Sequence, residues 1–342
     1  MKKFNIKDDI KIATTLHSDY YTDDSIFKES LEKIFLSSWQ FFGHKDEIKN
    51  DISPFTFMPG LLSEPLMLTK DKGKIHCISN VCTHRGHIVC SKPQNTKLLT
   101  CRYHGRTFNL NGTLNNAPGF DKAEKFPSKE DNLKKINTKK WMNFIFISLN
   151  KAIDINPVLK DIESRVNSFP FDKLSFSKPL SSEFEINAHW AIYCENYLEG
   201  FHVPFVHKGL SKEIDNSSYE TVLLNNGVVQ FAKSNQENNI YGYYYWIFPN
   251  IMINFYDWGL SVNIIEPISK DKTRIRFSSY PIKDNKQSER AVSDLIRVEM
   301  EDQSVVKSVH KGISSKFYTK GRYSPEHEKG VHHFHRLLSK YL

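Results

Sequence analysis

Two short loops constrain this chain more than any other feature of its sequence. Cys82-Thr83-His84-Arg85-Gly86 carries a thiol and an imidazole two residues apart; after sixteen residues that follow His84, Cys101-Arg102-Tyr103-His104-Gly105 carries a second pair three apart. Two thiolates with two imidazoles can hold a tetrahedral zinc ion. They can equally hold a [2Fe–2S] cluster in which a pair of histidines replaces a pair of cysteines on one iron. Zinc fingers generally pair cysteine with cysteine and histidine with histidine. Here each loop supplies one of each, the arrangement needed if one iron takes both cysteines and the other both histidines. The glycines after each histidine let the two loops approach closely, so the fold must bring them together.

At 342 residues the chain suits one large or two moderate domains with a sizeable core. Aromatic residues make up 13%, an unusual number of rings to place. The formal charge of +8 comes mainly from scattered lysines. Nucleic-acid binding would ask for a concentrated basic stripe, and none is present; a lysine-rich face suits an acidic electron-transfer partner instead. Met1 to Asp9 has no apolar leader and no later run is long enough to span a bilayer, which implies a soluble, cytoplasmic protein without a membrane partner. The cysteines (Cys77, Cys82, Cys90, Cys101, Cys194) are too few for a disulfide scaffold.

The expected fold class is α+β. Up to about Ser38 a turn and a helix are expected, with Asp23-Asp24-Ser25 as caps and Ile26, Leu31, Ile34 and Phe35 as the buried stripe. From Trp39 to about Asn150 short apolar runs alternate with turns such as Asp71-Lys72-Gly73-Lys74 and Asn109-Leu110-Asn111-Gly112, the pattern of a small antiparallel β domain. Further strands are expected over Tyr243–Phe248, Ile251–Trp258, 261–266 and 274–280, then a long helix from about Lys286 to Lys311 closed by Gly312 as its C-cap.

A second constellation lies in the later part. Within Glu195-Asn196-Tyr197-Leu198-Glu199-Gly200-Phe201-His202-Val203-Pro204-Phe205-Val206-His207, a helix is expected to reach His202 and to end or kink at Pro204. Asn196, Glu199 and His202 then share one face, and His207 turns back just past the break. On the long helix, Asp302 falls amid an apolar arc of Leu295, Val298, Val305, Val306 and Val309, while Glu301 points elsewhere. An inward carboxylate costs several kcal/mol unless neutralised. With His202 and His207 it makes the two-histidine, one-carboxylate set of non-haem Fe(II) sites, and Glu299 lies on the edge of the same arc. The alternative for Asp302 is a buried salt bridge.

Both constellations on one chain resemble the α subunit of Rieske non-haem iron oxygenases. The C-T-H-R-G and C-x-Y-H-G loops, the E-N-Y-x-E-x-x-H-x-x-x-x-H stretch and the Glu301-Asp302 pair carry the resemblance over nearly the whole chain. Respiratory-type Rieske loops add a cysteine each; here His87 follows Gly86 and Arg102-Tyr103 leave no second thiol, which favours the lower-potential oxygenase type. The resemblance implies an N-terminal helical segment (1–38) packed on the catalytic domain, a Rieske domain (39–155), and a catalytic mononuclear-iron domain (156–342) whose antiparallel sheet wraps around helices in a helix-grip-like way. It implies a [2Fe–2S] cluster on Cys82, His84, Cys101 and His104, and one Fe(II) on His202, His207 and Asp302. Asn196 matches a polar residue near the iron. Glu199 matches the residue that bridges the iron site to a cluster histidine of a neighbouring subunit, here His104, so a homotrimer is implied, served by a reductase or ferredoxin. Glutamate at the bridge occurs in branches that resemble choline, carnitine and betaine oxygenases.

The implied activity is O2-dependent hydroxylation or oxidative demethylation of a small molecule, with a quaternary ammonium compound as one candidate and cis-dihydroxylation of an aromatic ring as the alternative. The rings of Tyr243–Phe248, Phe255, Tyr256 and Trp258 can cage a trimethylammonium group or simply fill a β core. From other classes, a Rieske electron carrier predicts no mononuclear iron, and a zinc-stabilised binding module predicts a colourless protein. Glu326-His327-Glu328 and His332-His333-Phe334-His335 lie outside both constellations and are read as helix packing and surface.

Overall fold

The computed structural model describes residues 4–150, 152–236, 239–283 and 288–342, without the side chains of 288–292. The chain divides into two compact units, Gln40–Ala152 on one side and Met1–Trp39 with Ile153–Leu342 on the other.

Gln40–Ala152 is built from β1 (Gln40–His44), β2 (Ile52–Phe57), β3 (Glu64–Asp71), β4 (Lys74–Ser79), β5 (Leu98–Thr100), β6 (Thr107–Asn109), β7 (Leu114–Asn116), β8 (Lys135–Trp141) and β9 (Phe144–Ser148). Six of them form an antiparallel sheet in the order β1-β9-β8-β4-β3-β2, and β5-β6-β7 form a second, smaller one. Between β3 and β4, Lys72 and Gly73 both take positive φ, as a two-residue primed hairpin turn requires. Ile52, Met67, Ile78, Leu99, Phe108 and Leu110 make the core, and Cys82 and Cys101 are part of it.

In the other unit α1 (Asp19–Thr22) and α2 (Asp24–Lys33) come first; Asp23 caps α2 by accepting from the Ser25 and Ile26 amides. After α3 (Asn156–Arg165) and β10 (Ser177–Ile186), the chain forms α4 (Trp190–Tyr197) and the one-turn helices α5 (Val203–Val206) and α6 (Leu210–Glu213). A meander follows: β11 (Glu220–Leu224), β12 (Gly227–Lys233), β13 (Ile240–Ile247), β14 (Ile251–Tyr256), β15 (Gly259–Ser269) and β16 (Lys272–Pro281). Its sheet order is β10-β16-β15-β14-β13-β12-β11, antiparallel throughout. Because β10 and β11 occupy opposite edges, the segment between them must cross the sheet, and that segment carries α4. The long helix α7 (Ser288–Ile313) and the last helix α8 (Lys329–Tyr341) both pack on α4.

Two local expectations need correction. Pro204 does not end the helix that precedes it: α4 stops at Tyr197, and Pro204 sits in the first turn of α5, where its missing N–H costs nothing. Asn196 is therefore helical, whereas Glu199 and His202 come from the loop after it. Gly312 is not a C-cap either, since α7 runs through it to Ile313; the expected start at Lys286 lies outside the described residues.

The histidine-rich tail turns out to be a set of ties. His332 Nε2 meets the Lys7 carbonyl (2.8 Å), His333 Nε2 the Leu224 carbonyl (2.9 Å) and His335 Nε2 the Glu195 carboxylate (3.0 Å). Tyr323 completes the last by pairing with His335 Nδ1 (2.6 Å), and Tyr21 donates to Glu195 from the N-terminal side (2.6 Å). α8 also lies so close to α4 that a Cβ on Gly330 would overlap the Leu198 carbonyl oxygen. Gly330→Ala is expected to cost about 2 kcal/mol or more by overpacking, read as a lower midpoint of thermal unfolding; an unchanged midpoint would show that α8 is not seated this tightly.

Candidate metal centres and substrate cavity

The two cysteine–histidine loops are the same turn built twice. The Cys82 amide donates to the His87 carbonyl (2.9 Å) and the Gly86 amide to the Cys82 carbonyl (3.0 Å); in the second loop Cys101 donates to Arg106 (2.8 Å) and Gly105 to Cys101 (3.0 Å). Gly86 and Gly105 close these turns at φ of 70° and 73°. A Cβ would meet nothing at Gly86 and only Pro118, at 3.5 Å, at Gly105, so positive φ, not close approach of the loops, demands glycine there.

Each turn leaves its cysteine in the core and its histidine outward. Cys82 and Cys101 are free thiols, 3% and 2% exposed. The His84 and His104 rings lie 4.6 Å apart, and His84 Nδ1 is buried with no hydrogen-bond partner. An orphaned ring nitrogen beside two free thiols fits a bound inorganic group. A single zinc ion fits less well. Its bonds of about 2.0–2.3 Å would draw the donors close together. Among the described residues, the one set of three or more histidine, cysteine or carboxylate donors that lie within 4.8 Å of one another is elsewhere. Arg106, which sequence reasoning passed over, is 3% exposed beneath these loops. Its guanidinium lies over Phe120 (4.3 Å) and Phe126 (5.2 Å) and donates to Thr83 Oγ1 (3.3 Å).

That other set is His202, His207 and Asp302. His202 Nε2 is 3.2 Å from His207 Nε2, and Asp302 Oδ1 is 2.9 Å from the second and 3.5 Å from the first. The opposite ring nitrogens are engaged by carboxylates: His202 Nδ1 by Glu199 Oε1 (2.6 Å) and His207 Nδ1 by Glu301 Oε2 (2.7 Å). A carboxylate can only accept, so each Nδ1 carries the proton and each Nε2 turns its lone pair toward the common point. Three electron-pair donors facing one another without an intervening hydrogen repel, and a cation between them removes the repulsion. A proton can do this duty where no ion is bound. Burial works against a charged His202, but Asp302 and then Glu199 lift it to about 9; burial likewise opposes Asp302's charge, yet His202 and His207 bring it down to about 2.

Glu301 therefore does not point elsewhere, as the arc suggested; it holds His207. Asn196 Nδ2 donates to Asp302 Oδ1 (2.7 Å), and the Glu199 carboxylate also accepts from the His202 amide (3.1 Å). Glu299, 5% exposed, takes the Tyr193 hydroxyl and a long bond from Gln303 (3.5 Å). Burial and the nearby Asp302 charge push it up to about 7.

A cavity of about 120 Å³ opens beside this set. Tyr193 and Tyr197 of α4 line it with Tyr219, Tyr244 and Tyr256, together with Glu199, Glu299 and Asp302, and no lysine or arginine is among the described residues of its wall. Of the aromatic run named above only Tyr244 and Tyr256 reach it. Tyr245, Trp246, Phe248 and Phe255 are core residues, and Trp258 stacks behind Tyr256 (5.5 Å).

The architecture and donor sets define a class, and two domain comparisons agree. The Rieske [2Fe-2S] domain model matches residues 38–127, and that of the ring hydroxylating alpha subunit (catalytic domain) matches 223–342. The chain belongs to the Rieske non-haem iron oxygenases, as an oxygenase α subunit that uses O2. Within the family it is 30% identical to choline monooxygenase (chloroplastic) of Arabidopsis thaliana, over 98% of this chain and 85% of that protein. It is 26% identical to the carnitine monooxygenase oxygenase subunit of Escherichia coli K12, over 96% and 94%. The quaternary ammonium Rieske monooxygenase CntA, solved with L-carnitine, shares the fold at TM-score 0.81 and 23% identity, over 97% of this chain and 96% of that one. Naphthalene 1,2-dioxygenase with bound indole does so at 0.73 and 16%, over 96% and 92%. The cofactors of the family are a [2Fe–2S] cluster and a mononuclear iron. No helix of the described residues is long and apolar enough to cross a membrane.

Two outcomes follow for the anaerobic apoprotein, with Co(II) as a spectroscopic substitute. Its apparent affinity should rise as pH climbs toward about 9, with proton release on loading, because the ion competes with the proton on His202. Glu301→Gln should weaken loading by about tenfold or more by loosening His207.

Proposed function

We propose that this chain is the terminal oxygenase of a system that oxidises a small quaternary ammonium compound, with electrons from a reductase or ferredoxin. One observation carries this reading: the cavity beside the three-donor set is lined by tyrosines and carboxylates, with no lysine or arginine among its described members. Ring faces attract a cation by about 0.5–2 kcal/mol per contact, and carboxylates add charge. A neutral aromatic substrate would gain from the rings but would leave Glu299 facing an apolar group.

In this reading Cys82 and Cys101 hold one iron of the cluster and His84 and His104 the other, while His202, His207 and Asp302 hold the mononuclear iron. Together these centres supply stored electrons and O2 activation. The chain's own contribution is placement. Glu199 and Glu301 hold the two Nδ1 protons, Asn196 orients Asp302, and the tyrosine wall sets the substrate against the iron position and keeps bulk water out.

Glu199 is also the proposed electron bridge, to His104 of a second copy in a head-to-tail trimer. His104 is exposed, with Tyr103 stacked on it at 3.8 Å, and near Glu199 the exposed Phe201 and Phe205 offer an apolar surface for such a neighbour. Electrons would then leave one protomer and arrive in the next.

Two measurements test this. Substrate-dependent O2 uptake by the reduced enzyme should appear with trimethylammonium compounds and be absent with benzoate or indole; the reverse would favour ring dihydroxylation. Loaded with excess Fe(II) to offset a weaker hold on His202, Glu199→Gln should contain both metals, by iron and acid-labile sulfide count, yet lose nearly all coupled turnover. Co-assembly of Glu199→Gln chains with His104→Ala chains should restore part of the activity, since some interfaces then pair an intact cluster with an intact bridge. No restoration would argue for transfer within one protomer.

A further inference from the structure

Three polar groups in the cavity wall keep unused bonding capacity. Glu299 is buried against the cavity with Tyr193 and Gln303 as its bonded neighbours, and no lysine or arginine is among the described residues of the wall. Gln230 is fully buried, and its amide orientation is fixed because Nε2 donates to the Tyr197 carbonyl (2.7 Å). Its Oε1 is left without a partner, as is Oδ1 of Asn263, 7% exposed in the same wall. A buried carboxylate without a counter-charge and a buried acceptor without a donor both carry an unrecovered desolvation cost. Both costs are recovered by a ligand that brings a positive head and a hydroxyl donor.

We propose that Glu299 is the counter-charge for the substrate's ammonium head and that Gln230 Oε1 accepts from its uncharged, hydroxyl-bearing tail, so that the cavity takes ammonium alcohols and turns away zwitterionic ammonium carboxylates. The selection has a direct physical basis. A carboxylate tail needs an arginine, a lysine or several N–H donors, whereas this wall offers it the unpaired acceptor oxygens of Gln230 and Asn263 and the Glu299 carboxylate. Tyr193 keeps its hydrogen on Glu299, which leaves the second carboxylate oxygen for the ligand. The inference rests on the proposed ammonium substrate and narrows it.

Anaerobic calorimetry on the iron-loaded enzyme can test each part separately with choline, carnitine and the neutral isostere of choline, 3,3-dimethylbutan-1-ol. Choline is expected to bind on the order of tenfold or more tightly than either of the others. Glu299→Gln should shrink the choline-to-isostere ratio several-fold, leaving only the share that the tyrosine faces supply, and Glu299→Asp, which keeps the charge, should restore part of the preference. Gln230→Leu should weaken choline and the isostere alike, since both lose the same hydroxyl bond. Iron content and unfolding midpoint are measured on every variant, and Glu299→Asp carries the charge test if Glu299→Gln does not fold. A choline-to-isostere ratio that Glu299→Gln leaves intact would overturn the role of Glu299. Carnitine binding as tightly as choline would overturn the selection of the tail while leaving the ammonium reading in place. An isostere that binds as well as both ammonium compounds would instead overturn the ammonium reading itself.

Discussion

The larger unit depends on a pair of hydrogen bonds that face away from the point where His202, His207 and Asp302 converge. Glu199 and Glu301 each take the Nδ1 proton of a histidine, at 2.6 and 2.7 Å. This decides which nitrogen carries a lone pair and where it points. Without those bonds either tautomer is open to each ring, and the three donors would share no common focus. With them, a cation is favoured at that one point.

That focus is assembled from segments distant in sequence, and the sheet explains how. Because β10 pairs with the last strand of the meander, the chain has to cross the sheet to begin β11. The crossing lays α4 against the sheet at β15, with the His202–His207 loop after it. α7, leaving the other end of the meander, then returns beside α4 with Asp302 facing inward. α8 fastens the arrangement from behind: His335 and Tyr21 grip Glu195, one residue before Asn196, which itself bonds Asp302. The histidine-rich tail thus serves the site mechanically, through α4.

Much of this was legible from residue chemistry alone. Cysteine and histidine at short spacings announce themselves, and an aspartate amid Leu295, Val298 and Val306 asks for a partner whatever the fold. The helical reading of Glu199 and His202 failed because three-residue spacing does not distinguish a helix from a loop that returns to the same place. Pro204 is compatible with ending one helix or starting another, and the structure takes the second option. Glu301 was misplaced for a related reason. Helical projection gives the direction of Cβ, but a glutamate has two more carbons with which to swing round to His207. Arg106 gave no signal because a lone arginine in a loop usually faces water; its burial depends on Phe120 and Phe126 closing over it.

The cavity wall was the least legible part, for a geometrical reason. Its five tyrosines come from α4, from the turn before β11, and from β13 and β14. Only Tyr193 and Tyr197, one helical turn apart, have a spacing that could suggest a shared face. In β13 the run Tyr243-Tyr244-Tyr245-Trp246 looks like one aromatic block, yet alternation along the strand sends Tyr244 into the cavity and Tyr245 to the opposite face, where it meets Asp161 of α3. Trp246 shares the face of Tyr244 but lies under Phe334 of α8 (5.1 Å), so position along the strand decides between wall and core. Sequence supplies the rings; strand register and the crossing of α4 decide which of them a substrate meets. The charge of the wall follows the same rule, because Glu299 faces the cavity only where α7 lies against Tyr193.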